Sequence, residues 1–551
     1  MKPDIVRNLG ISRVHNSSTT LLENGEIVYH LENERLSNRK YDAFPFQCLN
    51  DLDTSNLDDI CIAGVGKLTP VDCFVSDDAY SLYVKTKENK YDTTVHDLSL
   101  SHHELHAAHA FYNSGLDEAI CIVKDGMGSD VPLNGDMFQS GTYGRELSTT
   151  FTASYPANFN VVDKHVAVPF KANHRFGDVH ISNNLGEGMA FQKTSIAFGF
   201  HELDAGKVMG MASYGEELPI SIYKDGLIDN HLFYIGNDLH DTGLTPVYRD
   251  VYIFKDFDTK INFAHTLQKQ TQEHVGQYIL DMIEKTGCKN VCLSGGFFLN
   301  CVANYYYLSI LPKDVKLYIE PVSSDAGTSI GAAKYMWHKK TGDTVKRPLT
   351  SLYLGPHQSV TPIKYFGKTT GEYTTLDKVA DLLANGKSIA VYQGKSEAGP
   401  RALGNRSILF DPRDAQAKDK INKIKKREKF RPFAGVVMAE HADKYFDMRG
   451  LKESPFMMYA VDVLSDEIPG ITHVDNTCRI QTVTREQNEK LYDLINCFYK
   501  KTGVPILFNT SFNLAGECIV ETPEDAIRTF NNSDIDYIFF AEYLAIVGSE
   551  Q

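Results

Sequence analysis

The amino-acid sequence predicts an α/β protein built from two large domains. Three observations carry that expectation. Short apolar strands run into polar, glycine-rich turns at three places, after residues 119–124, 290–294 and 317–320. The same alternation of helix and strand resumes beyond residue 375. The chain has 551 residues, too many for one core when a domain takes about 100–200.

In chain order, residues 8–29 read as strand, turn, strand. Val14, Leu21, Leu22, Ile27 and Val28 are apolar, and Asn24-Gly25 is a strong hairpin signal. Meanders of this kind open actin-like and sugar-kinase folds. Residues 51–100 are polar and acidic and predict a peripheral helix-and-loop region. Residues 101–112 predict a helix with Ser101 as N-cap and Gly115 shortly beyond its end. The first strand then ends in Asp125-Gly126-Met127-Gly128. The second ends in Ser294-Gly295-Gly296 and leads into a helix. The third leads to Ser323-Ser324-Asp325-Ala326-Gly327-Thr328. Strands that end this way describe a site at strand C-termini. The polar stretch 339–348 reads as a linker. Beyond it, 379–385 predict a helix, 388–392 a strand, 415–428 a basic helix, and 504–508 a strand ending in Asn509-Thr510-Ser511.

Composition excludes several classes. Hydrophobic residues are 42% and charged residues 23%, the balance of a globular chain rather than a disordered, collagen-like or coiled-coil one. The net charge of −15 lacks the basic balance of a nucleic-acid binder. No window approaches a membrane span, Met1-Lys2-Pro3-Asp4 carries no signal-peptide core, and the ten cysteines form no CxxC pair. The expectation is a cytoplasmic protein with reduced thiols. Lysine outnumbers arginine and tyrosine is frequent, an AT-rich codon bias that speaks against a GC-rich source.

His102 and His106 stand four apart, on one face of the predicted helix and within reach of one ion. His109 continues the stripe as a spare or supporting ligand, while His103 points elsewhere. Asp125 and Asp325, both at strand ends, complete a two-His, two-Asp set. Such mixed ligation suits divalent iron, manganese or zinc and leaves positions for phosphate oxygens. Gly126, Gly128, Gly295, Gly296 and Gly327 allow backbone N–H groups to approach a nucleotide. There is no Walker A or GxGxxG pattern. The second domain carries Gly399-Pro400-Arg401-Ala402-Leu403-Gly404-Asn405-Arg406-Ser407 and the basic run from Lys425 to Phe433. The ending Phe430-Arg431-Pro432-Phe433 predicts an inward-packed arginine that needs an anion.

In this order, with His15-Asn16-Ser17-Ser18, Glu32-Asn33-Glu34-Arg35 and Lys40 before them, these blocks resemble the O-carbamoyltransferase family of tobramycin, cephalosporin, novobiocin and nodulation-factor modification. His102-His103-Glu104-Leu105-His106, Gly206-Lys207-Val208-Met209-Gly210, Leu299-Asn300-Cys301, Thr472-His473-Val474-Asp475, Arg479 and Asn509-Thr510-Ser511-Phe512-Asn513 extend the resemblance from about residue 9 to 530. It implies an actin-like N-terminal domain, 1–345, and a YrdC-like C-terminal domain, 346–551. It implies ATP with Mg2+, carbamoyl phosphate as donor and a divalent metal, Fe2+ first, with Mn2+ or Zn2+ as alternatives. Carbamoyladenylate forms in the second domain and is passed to an acceptor hydroxyl in the first.

The resemblance also distributes roles. Arg401, Lys425, Arg431 and Arg479 hold carbamoyl phosphate and the ATP phosphates, and Asn509 and Ser511 fix the carbamoyl end. His102, His106, Asp125 and Asp325 hold the metal. Gly126, Gly128, Lys207, Gly295, Gly296 and Asn300 line the nucleotide. His15 is the general base and Lys40 polarises the carbamoyl group. Asn16, where the family has Asp, removes a charge beside His15. Lys124, where an apolar residue is usual, adds one beside Asp125. The acceptor is a hydroxyl-bearing small molecule or a hydroxymethylated pyrimidine, free or in DNA, and the oligomeric state carried is a homodimer. A threonylcarbamoyl-tRNA-type enzyme, a chaperone-like ATPase and a metal- or nucleotide-binding regulator are the alternatives.

Overall fold

Asn24 and Gly25, at φ 50° and 83°, turn the strand Ser18–Glu23 into the strand Glu26–Glu32. This is the two-residue reversal that an Asn-Gly pair favours. A third strand, Arg7–Ser12, pairs antiparallel with Ser18–Glu23, so the predicted strand–turn–strand is a three-stranded meander. In this computed structural model, residues 5–66, 79–133, 142–233, 256–358, 360 and 371–549 are described. The start read for a signal peptide, 1–4, lies outside the described residues. So does 67–78 of the region read as peripheral.

The chain forms two compact units. One takes Met1–His30 and Ala43–Leu349, the other Leu31–Asp42 and Thr350–Gln551. The segment Leu31–Asp42 lies on the N-terminal side of the expected cut, yet it packs with the second unit.

The first unit holds two main sheets. In one, the meander is extended by Asp59–Ala63 and Thr94–Asp97, each parallel to its inner neighbour. That order, an antiparallel meander followed by parallel strands, is the actin-like arrangement. In the other, Glu118–Lys124, Asn290–Ser294 and Lys316–Ile319 lie side by side and parallel. Their C-terminal ends therefore point the same way, and the three glycine-rich turns meet there. Helix His102–Ser114 begins after Ser101, which makes no side-chain cap, and ends at Gly115 in the left-handed region. Leu105, Ala107, Ala108 and Phe111 of this helix pack in a buried cluster with Cys121, Val123, Cys292, Ala332 and Met336. Helix Thr328–Thr341 crosses it so closely that a Cβ at Gly331 would meet the Leu105 carbonyl oxygen at 2.1 Å.

Two boundaries differ from expectation. The strand Asn290–Ser294 leads first into a single tight turn, Gly296–Leu299, and only then into helix Cys301–Ile310. The stretch read as a linker opens with the last turn of helix Thr328–Thr341. It is tied to the first unit by Arg347 on Glu26 and Asp343, and by Lys334 on the Arg347 carbonyl.

The second unit carries a nine-stranded mixed sheet with Ile389–Tyr392, Arg406–Phe410, Ile506–Ser511, Ala434–Met438 and Thr477–Val483 as consecutive inner neighbours. Helices Leu376–Ala384 and Glu489–Thr502 pack against each other. The predicted basic helix is shorter than its pattern, Ala417–Ile424. Lys426 sits at φ 53° just after it, a left-handed position that ends the helix. Arg35 is 1% exposed and donates to the carbonyls of Glu397 and Gly399 at 3.2 and 2.8 Å. Glu397 in turn accepts from the N–H groups of Leu403, Asn405 and Arg406 at 2.7, 2.8 and 3.2 Å. A carboxylate inside a ring of backbone donors fixes the 399–406 loop. The nine described cysteines are all free thiols. Among the described residues, no helix is long and apolar enough to cross a membrane.

Candidate active site and metal centre

His102 and His106 project from one face of their helix toward the ends of two parallel strands, where Asp125 and Asp325 stand. One ligand atom from each of the four lies within 4.8 Å of the others. His102 Nε2 is 3.3 Å from Asp125 Oδ2 and 3.5 Å from Asp325 Oδ1. His106 Nε2 is 4.0 Å from Asp125 Oδ2 and 3.4 Å from Asp325 Oδ1. All four are buried. The four side chains predicted as a metal set are therefore brought together.

The surroundings hold them in place. The Gly296 N–H donates to Asp125 Oδ1 at 3.0 Å, and Ser294 Oγ stands 3.4 Å from His106 Nδ1. The Asp325 carbonyl accepts from Ser12 and Thr328 at 3.2 and 2.6 Å. Burial would discharge His102, but Asp325 and Asp125 raise its pKa to about 10. Burial and repulsion from Asp325 push Asp125 upward, yet the histidines hold it below the usual carboxylate range. Burial likewise works against ionised Asp325, and His15 and His102 hold it well below that range. His106 Nε2 is buried with no hydrogen-bond partner. An orphaned imidazole nitrogen facing two ionised carboxylates fits a divalent cation.

His15 reaches the same centre. It lies in the turn between the first two strands, 45% exposed, with Nδ1 3.3 Å from Asp325 Oδ2. Asn16 beside it adopts φ 61°, a left-handed conformation that Asn tolerates better than most residues.

Other residues of the first unit find different partners. His109, read as a spare ligand, pairs with fully buried Glu320 at 3.2 Å. Glu320 also accepts from Asn113 and from the Val322 N–H. His103 does point elsewhere, to Thr149 at 2.8 Å. Lys124 forms a buried pair with Glu187 at 3.0 Å and lies over the Tyr278 ring. Its charge is therefore compensated by Glu187. Of the glycines, Gly295, at φ 98°, is pressed so close to the strand end that a Cβ would meet the Lys124 carbonyl oxygen at 2.3 Å. The Gly128 N–H is engaged by the Glu146 carbonyl, and a Cβ at Gly126 would stand 3.0 Å from the Gln192 amide. Asn300 caps its helix through Ala303 and exchanges hydrogen bonds with Gln268. Lys207 pairs with Asp204 at 3.0 Å and lies over Phe200.

The second unit holds a cationic cluster. Lys425 is 3% exposed. Burial, with Arg427, Arg431 and Lys40 nearby, drives its pKa well down. Burial, Arg431 and Arg479 do the same to Arg427. Cations that depress one another mark a place for an anion. Lys425 donates to Asn513 at 2.8 Å and to Ser511 Oγ at 3.3 Å. Its ammonium thus orders the end of strand Ile506–Ser511. Arg431 is less buried than its aromatic flanks predict, at 30% exposure. Phe433 turns inward, the Arg427 guanidinium lies 4.1 Å from its ring centre, and Lys425 is the buried cation of the segment. Arg479 and Asn509 lie on neighbouring rungs, each paired with Ala434. Lys40, predicted to act with His15, belongs by packing to this second unit.

Two family descriptions match the chain: "Carbamoyltransferase N-terminus" over residues 61–334 and "Carbamoyltransferase C-terminus" over 380–546. The chain is 31% identical to an uncharacterised protein of Synechocystis, covering 97% of this chain and 96% of that one. It is 30% identical to nodulation protein NolNO of Sinorhizobium fredii, over 96% of this chain and 79% of that protein. It is 34% identical to the 3'-hydroxymethylcephem-O-carbamoyltransferase of Amycolatopsis lactamdurans, over 59% and 61%.

Proposed function

Because this chain belongs to the carbamoyltransferase family, and is thereby an enzyme of the transferase class, we propose that it is an ATP-dependent O-carbamoyltransferase. Carbamoyl phosphate and water first give phosphate and carbamate at the cationic cluster of the second unit. A carbamate oxygen then attacks the α-phosphorus of ATP, the bond to the β-phosphate bridging oxygen breaks, and pyrophosphate leaves. Arg401, Arg431 and Arg479 bind the phosphates. Lys425 contributes charge while it orders Ser511, and Lys40 polarises the carbamoyl group on this side.

Transfer follows in the first unit. An acceptor hydroxyl attacks the carbamoyl carbon, its proton passes to His15, and the bond to AMP breaks. A neutral His15 donating Nδ1–H to Asp325 keeps its basic lone pair on Nε2. His102, His106, Asp125 and Asp325 would hold a divalent metal whose charge offsets that of the adenylate phosphate. Gly126 and Gly295 leave the floor of the strand ends bare for the nucleotide, and Gly296 and Asn300 shape it indirectly.

The observation that carries this reading is the shared Asp325 carboxylate, which sets a candidate base against a buried four-ligand centre in a chain of this family. The acceptor is a neutral or anionic hydroxyl compound: a sugar, a nucleoside or a hydroxymethylated pyrimidine. The cephem relative, whose name specifies a hydroxymethyl acceptor, supports a hydroxyl. Lys124, whose charge would suit a polynucleotide acceptor, is compensated by Glu187, so a small molecule is preferred. Labelled carbamoyl phosphate, with ATP and Mg2+, tests the reading. Pyrophosphate release that depends on carbamoyl phosphate, and label on a sugar, nucleoside or hydroxymethylated DNA, are expected. Absence of that release rejects it.

A further inference from the structure

Strand register places four polar side chains of the second unit on one face. Asn509 and Arg479 flank Ala434 in adjacent strands, and residues directly opposite in neighbouring strands share a face. Gln481 and Ser511 follow Arg479 and Asn509 by two positions, and so lie on that face as well. Ala434, between them, contributes only a methyl group.

The amide polarity along this face is forced. The Ala402 carbonyl can only accept, so the Asn509 atom 3.3 Å from it is Nδ2. The Leu403 carbonyl can only accept, so the Gln481 atom 2.9 Å from it is Nε2. Gln481 Oε1 is then the group that accepts from Asn509 Nδ2, at 3.0 Å. Both protons of Asn509 are engaged. Its Oδ1 remains, buried and without a hydrogen-bond partner, in a side chain that is 1% exposed. A buried acceptor of this kind calls for a donor from elsewhere. A phosphate has no N–H to give, whereas a carbamoyl group has an NH2.

We propose that Gln481 is a specificity-determining positioning residue. It fixes the Asn509 amide so that Oδ1 receives the carbamoyl NH2, and the site thereby selects carbamoyl phosphate over acetyl phosphate, in which a methyl group replaces the amino group. This rests on reading the second unit as the carbamoyl phosphate site. Sites built to hydrogen-bond a polar group reject analogues that lack it, because their own buried group is left unpaired.

The test is the ratio of the Ki of acetyl phosphate to the KM of carbamoyl phosphate, read from carbamoyl-phosphate-dependent pyrophosphate release by the full-length protein. Gln481→Met keeps the length of the side chain but removes the acceptor for Asn509, and the ratio is expected to fall about ten-fold or more. Gln481→Glu can still only accept from Asn509 Nδ2. It should therefore keep the ratio within about three-fold, even where lost contact with Leu403 weakens both ligands together. Asn509→Leu removes Oδ1 itself and must lose the preference too, which provides the check where Gln481→Met does not fold. An unchanged ratio in Gln481→Met, or an equal loss in the Met and Glu variants, overturns the role of Gln481. No release by the unmodified protein overturns the reaction assignment, and this inference with it.

Discussion

His15 Nδ1 stands 3.3 Å from one oxygen of Asp325, and the other oxygen of that carboxylate faces His102 and His106 at 3.5 and 3.4 Å. One side chain thus joins the candidate base to the candidate metal centre. Movement of Asp325 disturbs both, while loss of His15 disturbs only one.

His15→Ala should therefore slow carbamoyl transfer by roughly 10²–10⁴-fold, the usual worth of a positioned base, with metal content unchanged. Carbamoyl-phosphate-dependent pyrophosphate release should continue. Near-normal formation of carbamoylated acceptor by this variant removes His15 from the mechanism.

His102→Ala and Asp325→Ala should bind less metal by elemental analysis and lose transfer, yet still release pyrophosphate. If both half-reactions survive in these variants and in chelator-treated protein, the four-residue set is not a functional metal centre.

Arg479→Ala or Arg431→Ala should stop adenylate formation, because each removes a cation from the cluster around Lys425. Preformed carbamoyladenylate should restore transfer. Failure of that rescue in protein that still unfolds cooperatively argues against two separate half-reactions.

Lys334 gives a pH dependence. Burial is the main cause of its depressed pKa of about 8, with Glu320 opposing the shift. Above the ordinary lysine value, folded and unfolded states are both neutral and no penalty exists. As pH falls toward 8 the unfolded lysine takes up a proton that the folded one refuses, so stability is lost; below 8 the penalty is constant. At 1.36 kcal/mol per unit, this amounts to about 3 kcal/mol. Denaturant unfolding of the protein and of Lys334→Met, compared at pH 8 and pH 10, should show the unsubstituted protein gaining on the variant as pH rises. Parallel pH profiles contradict the assignment.

Much of the His102, His106, Asp125 and Asp325 cluster was legible in sequence because its signals are local: two histidines one helical turn apart, and two aspartates where apolar strands stop. The meander was legible through Asn24-Gly25, and the actin-like order followed from it. Pairings across long separations were not. Nothing near Lys124 announces Glu187, and nothing near His109 announces Glu320, because each pair is made by packing of distant elements. Asn300 shows a related difficulty. An asparagine after a glycine-rich strand end reads equally as a ligand or as a cap, and the cap shows only once the backbone N–H of Ala303 is in place. The Phe-Arg-Pro-Phe stretch predicted an inward-packed arginine at 431, whereas the buried cation of this segment is Lys425, six residues earlier, at the end of the helix that Lys426 terminates.

The segment Leu31–Asp42 gives chain synthesis a particular order. Arg35 leaves the ribosome 362 residues before Glu397, whose carbonyl it binds, an interval of roughly 20–70 s at 5–20 residues per second. Residues 43–349 are continuous and can collapse in that time, while Arg35 stays hydrated with its final neighbours not yet made. The second unit is thus started early and closed last, with residues 43–349 of the first unit translated between its two segments. A fragment that begins at residue 350 leaves buried Glu397 and Glu521 without Arg35, one of the guanidiniums whose charge acts on them. Co-expression of residues 31–42 as a separate peptide, rather than a shift of the cut by a few residues, is the natural way to complete such a fragment.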